Sequence, residues 1–368
     1  MPSAIRKCLR HKDFVLYAIF MVTFSLVSWM DRGDETGYYI NTLMKADLLT
    51  TTWRVGGGKY TYKTFYDIAN VGESWDYLEK VFLPFALQET YENGDPIPED
   101  YRYYPHNSKL LGIRLRTVRV KPDMCADTGL SQYVSKPCYD KFTENIESKE
   151  SYGALKKFEW SDENSQLENS YWGKLNIYPG HGYFIDLPLN QSAALAVVQE
   201  ARASEFIDDS TRAFFVDFQL YNEPTNLHII CRTVIEYPPS GGARPKATFN
   251  VLKINNYNDP AGSLQMVLEF IIGGFAVYFL LEEIVEMKLL GFKGYRRSFW
   301  NVVDLINIII FLFVGSMRIY FYTSLRDIDP IKEYPNYISL QLRVNAFAIE
   351  SMLLSINAWR RRSLDRRG

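Results

Sequence analysis

Apolar and polar positions divide this chain into four long apolar runs separated by one very long polar stretch. Residues 14–30 carry no charge and are long enough to cross a hydrocarbon core of about 30 Å with snorkelling flanks. Further apolar runs begin at Leu264, at Phe299 and, more weakly, at Tyr337. The pattern predicts a four-span α-helical bundle with most of the chain inserted between its first two crossings. The boundaries it implies are a short N-terminal segment 1–13, span one at 14–30, the insert at 31–262, span two at 263–288, a linker at 289–298, span three at 299–322, a loop at 323–336, span four at 337–359 and a basic tail at 360–368.

Basic residues set the sidedness. Arg6, Lys7, Arg10 and Lys12 precede the first run, Lys288, Lys293, Arg296 and Arg297 lie between the second and third, and Arg360, Arg361 and Arg362 follow the fourth. These segments are expected on the cytosolic side, which puts the insert outside or in a lumen. A cleaved signal peptide is the competing reading of the start. Against it, the first run is longer than a usual signal core, ends in Trp29 before Asp31-Arg32, and lacks a small-x-small cleavage site.

Inside the insert the period changes. Phe214, Val216, Phe218 and Leu220 alternate with Phe215, Asp217, Gln219 and Tyr221, as a half-buried strand should. Residues 227–237 repeat the alternation, and Asn222-Glu223-Pro224-Thr225-Asn226 between them has turn composition, so an antiparallel hairpin is expected. Helical spacing appears at Trp75, Leu78 and Phe82, with Ser74 as candidate N-cap, and at Leu195, Val198 and Ala201. The insert therefore reads as a mixed α+β domain, an antiparallel sheet with helices, large enough to bury a core.

Composition adds less than pattern. Hydrophobic residues make up 47% and the net charge is −2, values an ordinary soluble protein would share, and a near-neutral chain with no basic stripe offers nothing to nucleic acid. Trp29, Trp300, Tyr320, Tyr322 and Trp359 fall at the ends of the apolar runs, as an interfacial belt would. Cys125 and Cys138 both lie in the insert, on the oxidising side, and could close a disulfide loop; two free thiols are the other reading. Cys8 is juxtamembrane and cytosolic. Asn190-Gln191-Ser192 is the glycosylation match, with Asn190 as acceptor. Enzyme signatures are missing: Gly56-Gly57-Gly58-Lys59 has Tyr60 where a phosphate loop needs Ser or Thr, and His11, His106, His181 and His228 show no metal-ligand spacing.

A family resemblance rests on ordered matches along nearly the whole chain. Leu110-Leu111-Gly112 with Arg114, Arg116 and Arg119, Cys125 with Cys138, Tyr183-Phe184-Ile185-Asp186-Leu187, Thr211-Arg212-Ala213, Phe218 through Asn222, Asn226-Leu227, and Glu236-Tyr237-Pro238 with Gly241-Gly242 resemble the extracytosolic domain of the polycystin branch of TRP channels. Residues 282–286, Tyr295 through Asn301, and Asp304 resemble that family's membrane part. The resemblance implies a tetrameric, calcium-permeable cation channel. Its outer domain would sit over the pore and touch neighbouring subunits, and its first four spans would form a voltage-sensor-like bundle. Family members then add two spans and a pore loop. The chain stops at Gly368, so it is expected to be a fragment or a short protein without its own pore, in a homo- or hetero-tetramer with polycystin-type subunits. The alternative is a non-conducting receptor or accessory subunit that uses the outer domain for ligand binding or assembly. Which membrane holds it has no local signature.

Two polar features of the spans invite a functional reading. Glu283 and Glu286 share a helix face, as do Asn301 and Asp304 on the next span, and a short turn between the helices should bring these oxygens together. A hard cation such as Ca²⁺ would suit them; salt bridges from Glu282, Glu283 and Glu286 to Lys288, Lys293, Arg296 or Arg297 are the alternative. Arg343 inside span four invites a voltage-sensing reading, but no repeat of charges at three-residue spacing accompanies it. Arg114, Arg116 and Arg119 are expected either to face an acidic patch on another subunit or to form a solvated strand face.

Overall fold

The computed structural model describes residues 3–30, 35–55, 62–91, 93–97, 103–104, 108–123, 125, 137–162, 170–253, 260–324, 337, 339–340 and 344. The chain forms two compact units: one, drawn from 35–254 and 329–344, holds most of the insert expected outside the membrane and is called the outer unit for that expectation alone; the second is drawn from 1–34, 255–328 and 345–368. Most of span four, with Arg343, the loop 323–336 beyond Ser324, and the tail 360–368 lie outside the described residues.

The outer unit is built on an antiparallel sheet. In chain order its strands are a short ribbon of β1 (Trp53–Arg54) and β2 (Tyr62–Lys63), then β3 (Tyr103–Tyr104), β4 (Ser108–Arg119), β5 (Trp160–Ser161), a second ribbon of β6 (Tyr171–Trp172) and β7 (Ile177–Tyr178), and β8 (Gly182–Leu187), β9 (Thr211–Asn222), β10 (Leu227–Glu236) and β11 (Arg244–Leu252). Six strands run in the order β11-β10-β9-β4-β8-β5, and β3 pairs with the start of β4. The hairpin expected from alternation is β9–β10, with Asn222 opposite Leu227 and Phe218 opposite Cys231. Its turn takes Asn226 into the left-handed region at φ 53°, which asparagine tolerates better than most side chains.

Helices cover one face of this sheet. They are α2 (Glu35–Lys45), α3 (Val71–Tyr77), which continues through 78–82 into α4 (Leu83–Ala86), and α5 (Gln191–Ala203). Trp75, Tyr77, Leu78, Phe82, Val198 and Ala201 pack there with Phe214, Val216, Phe218, Leu220 and Ile229, the core face read from the alternation. Burying each large apolar side chain contributes about 1.5–3 kcal/mol. The cap of α3 differs from expectation. Asn70, not Ser74, accepts from the Glu73 amide, while the Ser74 hydroxyl donates to the Asn70 carbonyl and accepts from Tyr237 inside the core. Helical spacing marks the face but not which of two nearby polar residues lies outside the first turn.

The opposite sheet face departs further from the sequence reading. Phe215, Asp217 and Gln219 were expected outward, yet they are 0%, 2% and 2% exposed. Phe142 and Tyr178 from distant segments close over Val118, Ala213, Phe215 and Val234 to form a second core. Both faces of β9 and β10 are therefore covered.

The second unit contains α1 (Ser3–Met30), α6 (Pro260–Tyr295) and α7 (Phe299–Ser324). Among the described residues, two helical stretches, Gly262–Tyr295 and Asn301–Tyr320, are long and apolar enough to cross a bilayer. Phe20 of α1 lies against Phe275, Phe279 and Phe311 with ring centroids 5.5–5.7 Å apart. Val22, Phe270 and Ile319 point away from the bundle, as lipid-facing side chains would. These three helices pack on one another within this unit.

Candidate functional site

Charges inside the covered sheet face form the first polar constellation. The Arg232 guanidinium donates to both carboxylate oxygens of Asp217 at 2.6 and 2.9 Å, and each side chain is only 3% exposed. Two desolvated charges of opposite sign survive there because cross-strand neighbours hold them in bidentate geometry. Arg116 is fully buried, donates to the Pro179 carbonyl at 2.5 Å, and stacks 3.7 Å from the centre of the Phe215 ring. Arg119 donates to Asp208 at 2.7 Å and lies over the Tyr152 ring. Burial pushes the Tyr152 hydroxyl up to about 12, against the opposing pull of Arg119. Glu236, also fully buried, accepts the amides of Lys174 and Leu175 and so pins the β6–β7 turn.

These contacts overturn the expectation of a solvated strand face for Arg114, Arg116 and Arg119. All three are buried, and each is held by partners within its own chain. Arg114 is bidentate to Asp186 and sits 5.1 Å from both the Phe184 and Tyr337 ring centres. Tyr337 is the first residue of the predicted fourth span, yet residues 329–344 group with the outer unit. Tyr337 is 7% exposed, with Ser339 at 3% and Leu340 at 2%. Leu340 and Val344 pack with Ile230, and Leu252 lies against them. A Cβ on Gly112 would stand 3.0 Å from the Tyr337 Cα, so the absence of a side chain there admits this segment.

The remaining outer positions are simply placed. Cys125 and Cys138 are joined, with Cα atoms 6.0 Å apart. Cys231 is a free buried thiol whose pKa burial pushes up, which makes it a poor nucleophile. Asn190 caps α5: its side-chain oxygen accepts from the Ala193 amide at 3.0 Å and from the Ser192 hydroxyl at 2.6 Å.

The second constellation lies between α6 and α7. Gly291, at φ 69°, breaks α6 and turns the chain so that the Tyr295 hydroxyl donates to Glu283 and approaches the Asn301 carbonyl at 2.9 Å. The Asn301 amide nitrogen donates to Glu286 at 3.0 Å, and its oxygen accepts from Ser298 at 2.8 Å. Thus Glu283, Glu286 and Asn301 do converge, through Tyr295, which the sequence reading had not enlisted. Among the described residues no ion pair joins Glu282, Glu283 or Glu286 to Lys288, Lys293, Arg296 or Arg297; those four cations are exposed to water, where pairing gains little. No group of three or more His, Cys, Asp or Glu is disposed to hold a metal among the described residues.

A further pair went unnoticed in the sequence. Arg318 of α7 donates to Glu269 of α6, and the Gln265 side chain donates to the same carboxylate at 2.9 Å. The available signal was an isolated charge inside each of two apolar runs, since such charges are expensive unless paired.

Comparison with known proteins follows the same division. Residues 64–255 match the family described as "Polycystin domain", and residues 256–328 match "Polycystin cation channel". The chain is 28% identical over 298 residues to polycystin-2 of Danio rerio, covering 80% of this chain and 32% of that protein. It is 26% identical over 314 residues to human polycystin-2-like protein 1, covering 84% and 38%. Polycystin-2 of Caenorhabditis elegans is 28% identical over 295 residues, covering 79% and 40%. The chain thus spans about a third to two fifths of the length of these relatives.

Proposed function

The chain belongs to the polycystin family, and from that membership we propose that it acts as a subunit of a calcium-permeable, polycystin-type cation channel. It would assemble as a homo- or hetero-tetramer, with residues 31–262 outside the membrane or in a lumen and a bundle of four spans holding that domain over the pore. The observation that carries this reading is the succession of an outer-domain match at 64–255 and a channel-region match at 256–328 along one chain. Co-expression with a pore-bearing polycystin-2-type subunit tests it. Co-purification together with a changed cation current is expected; failure to associate, with an unaltered current, refutes it.

Three finer assignments accompany the proposal. Ca²⁺ at Glu283, Glu286, Asn301 and Asp304 is supported by the hard-oxygen chemistry of the donors. Binding would require Glu283 to exchange the Tyr295 hydroxyl for the ion. Radioactive calcium binding should fall in Glu283→Ala and Asp304→Ala, and an unchanged affinity removes the site. A glycan on Asn190 should disappear, with its gel shift, in Asn190→Gln. For Arg343, neutralisation that leaves the voltage dependence of the co-expressed current untouched excludes a sensing role.

A further inference from the structure

We propose that the exposed face of α2 lies in the outer headgroup layer of the bilayer and anchors the outer domain to lipid. Tyr38, Tyr39 and Leu43 are 71%, 59% and 44% exposed, and at 100° per residue they fall with Glu35 and Thr42 on one side of this helix. The other side is committed: Ile40 and Met44 are in the core, Gly37 lies against Val251, and the Asn41 amide donates to the Phe249 carbonyl at 3.2 Å. The helix cannot turn its aromatic side inward without losing those contacts.

Continuity with the membrane identifies what covers it. α1 ends at Met30 and α2 begins at Glu35. Five Cα steps reach at most about 17 Å, and the headgroup layer on each side is about 5–8 Å thick. α2 also packs on β11, which ends at Leu252, shortly before α6 begins at Pro260. Tyrosine suits that depth, because its ring is apolar and its hydroxyl can stay hydrated. Two tyrosines and a leucine among Glu35, Thr42 and Lys45 have the composition of a helix lying on lipid rather than crossing it.

The inference rests on the first span crossing the membrane, and the test separates the two. Spin labels at Tyr39→Cys, Leu43→Cys, Val22→Cys and Leu155→Cys, in full-length protein carrying Cys8→Ala in phosphatidylcholine nanodiscs, report collisions with oxygen and with a water-soluble nickel complex. Val22 is 61% exposed on α1, and Leu155 is fully exposed on the outer unit. Labels at 39 and 43 are expected to favour oxygen, as at 22, with the nickel complex favoured at 155. A nickel-favoured result at 39 and 43 overturns the proposal in favour of a solvated face. Low collision with both reagents overturns it in favour of cover by a second copy of the chain. A nickel-favoured label at 22 would instead sink the spanning reading, and this proposal with it.

Discussion

Replacing Glu269 by glutamine removes the negative member of the ion pair between α6 and α7. The side chains of Glu269 and Arg318 are 17% and 22% exposed, and the Gln265 amide shares the Glu269 carboxylate. Arg318 keeps its charge whatever its neighbour does. An arginine at the bilayer centre costs about 2.5–3.5 kcal/mol on insertion scales, and removing the Glu269 carboxylate takes away an opposing charge that offsets part of this. Arg318 stands six residues before the end of α7, about 9 Å of helix rise. Its side chain can therefore snorkel part of the way out, and the expected loss is about 1–2 kcal/mol. Arg318→Gln should cost a similar amount. The double variant Glu269→Gln/Arg318→Gln holds no charge and can form an amide pair, so it should be more stable than the sum of the singles by about 1 kcal/mol or more. Unfolding of purified protein in nanodiscs, followed by intrinsic fluorescence for all four species, gives the coupling. Purely additive losses would show that this pair does not hold α6 to α7.

Further expectations follow from the outer unit. Gly112→Val places side-chain atoms where Tyr337 sits, and overpacking of this kind costs about 1–3 kcal/mol; hydrogen exchange at Tyr337, Leu340 and Val344 should rise while that of β9 does not. Asp217→Asn removes the carboxylate that neutralises the buried Arg232 charge, at about 3–5 kcal/mol, read as lost protease resistance of the outer domain, whereas joint replacement of Asp217 and Arg232 by apolar residues should cost less. For Glu73, burial raises the pKa, but hydrogen bonds from Lys63 and the Ala69 amide outweigh it and leave the carboxyl below its ordinary value. That stability is fully present above the unfolded-state pKa and disappears as the pH falls through the lowered native one. Lys63→Met should therefore move the acid unfolding transition to higher pH, and an unmoved transition would count against the pairing.

Local pattern was enough for much of the architecture. The apolar runs located α1, α6 and α7, two-residue alternation located β9 and β10, and the i, i+3 spacing of Leu195, Val198 and Ala201 located α5, because each signal is written within one turn or one strand. The ordered motifs from Leu110 to Asp304 carried the family. Other features needed the folded chain. Alternation reports that Asp217 sits on the polar side of its strand, but not that segments carrying Phe142 and Tyr178 close over that side and leave the Asp217–Arg232 pair in a dry interior. Glu269 and Arg318 are 49 positions apart, and only the packing of α6 on α7 makes them partners. Sequence periodicity records which face of an element is apolar; what finally covers the other face depends on contacts between distant segments, and these exist only once the chain has folded.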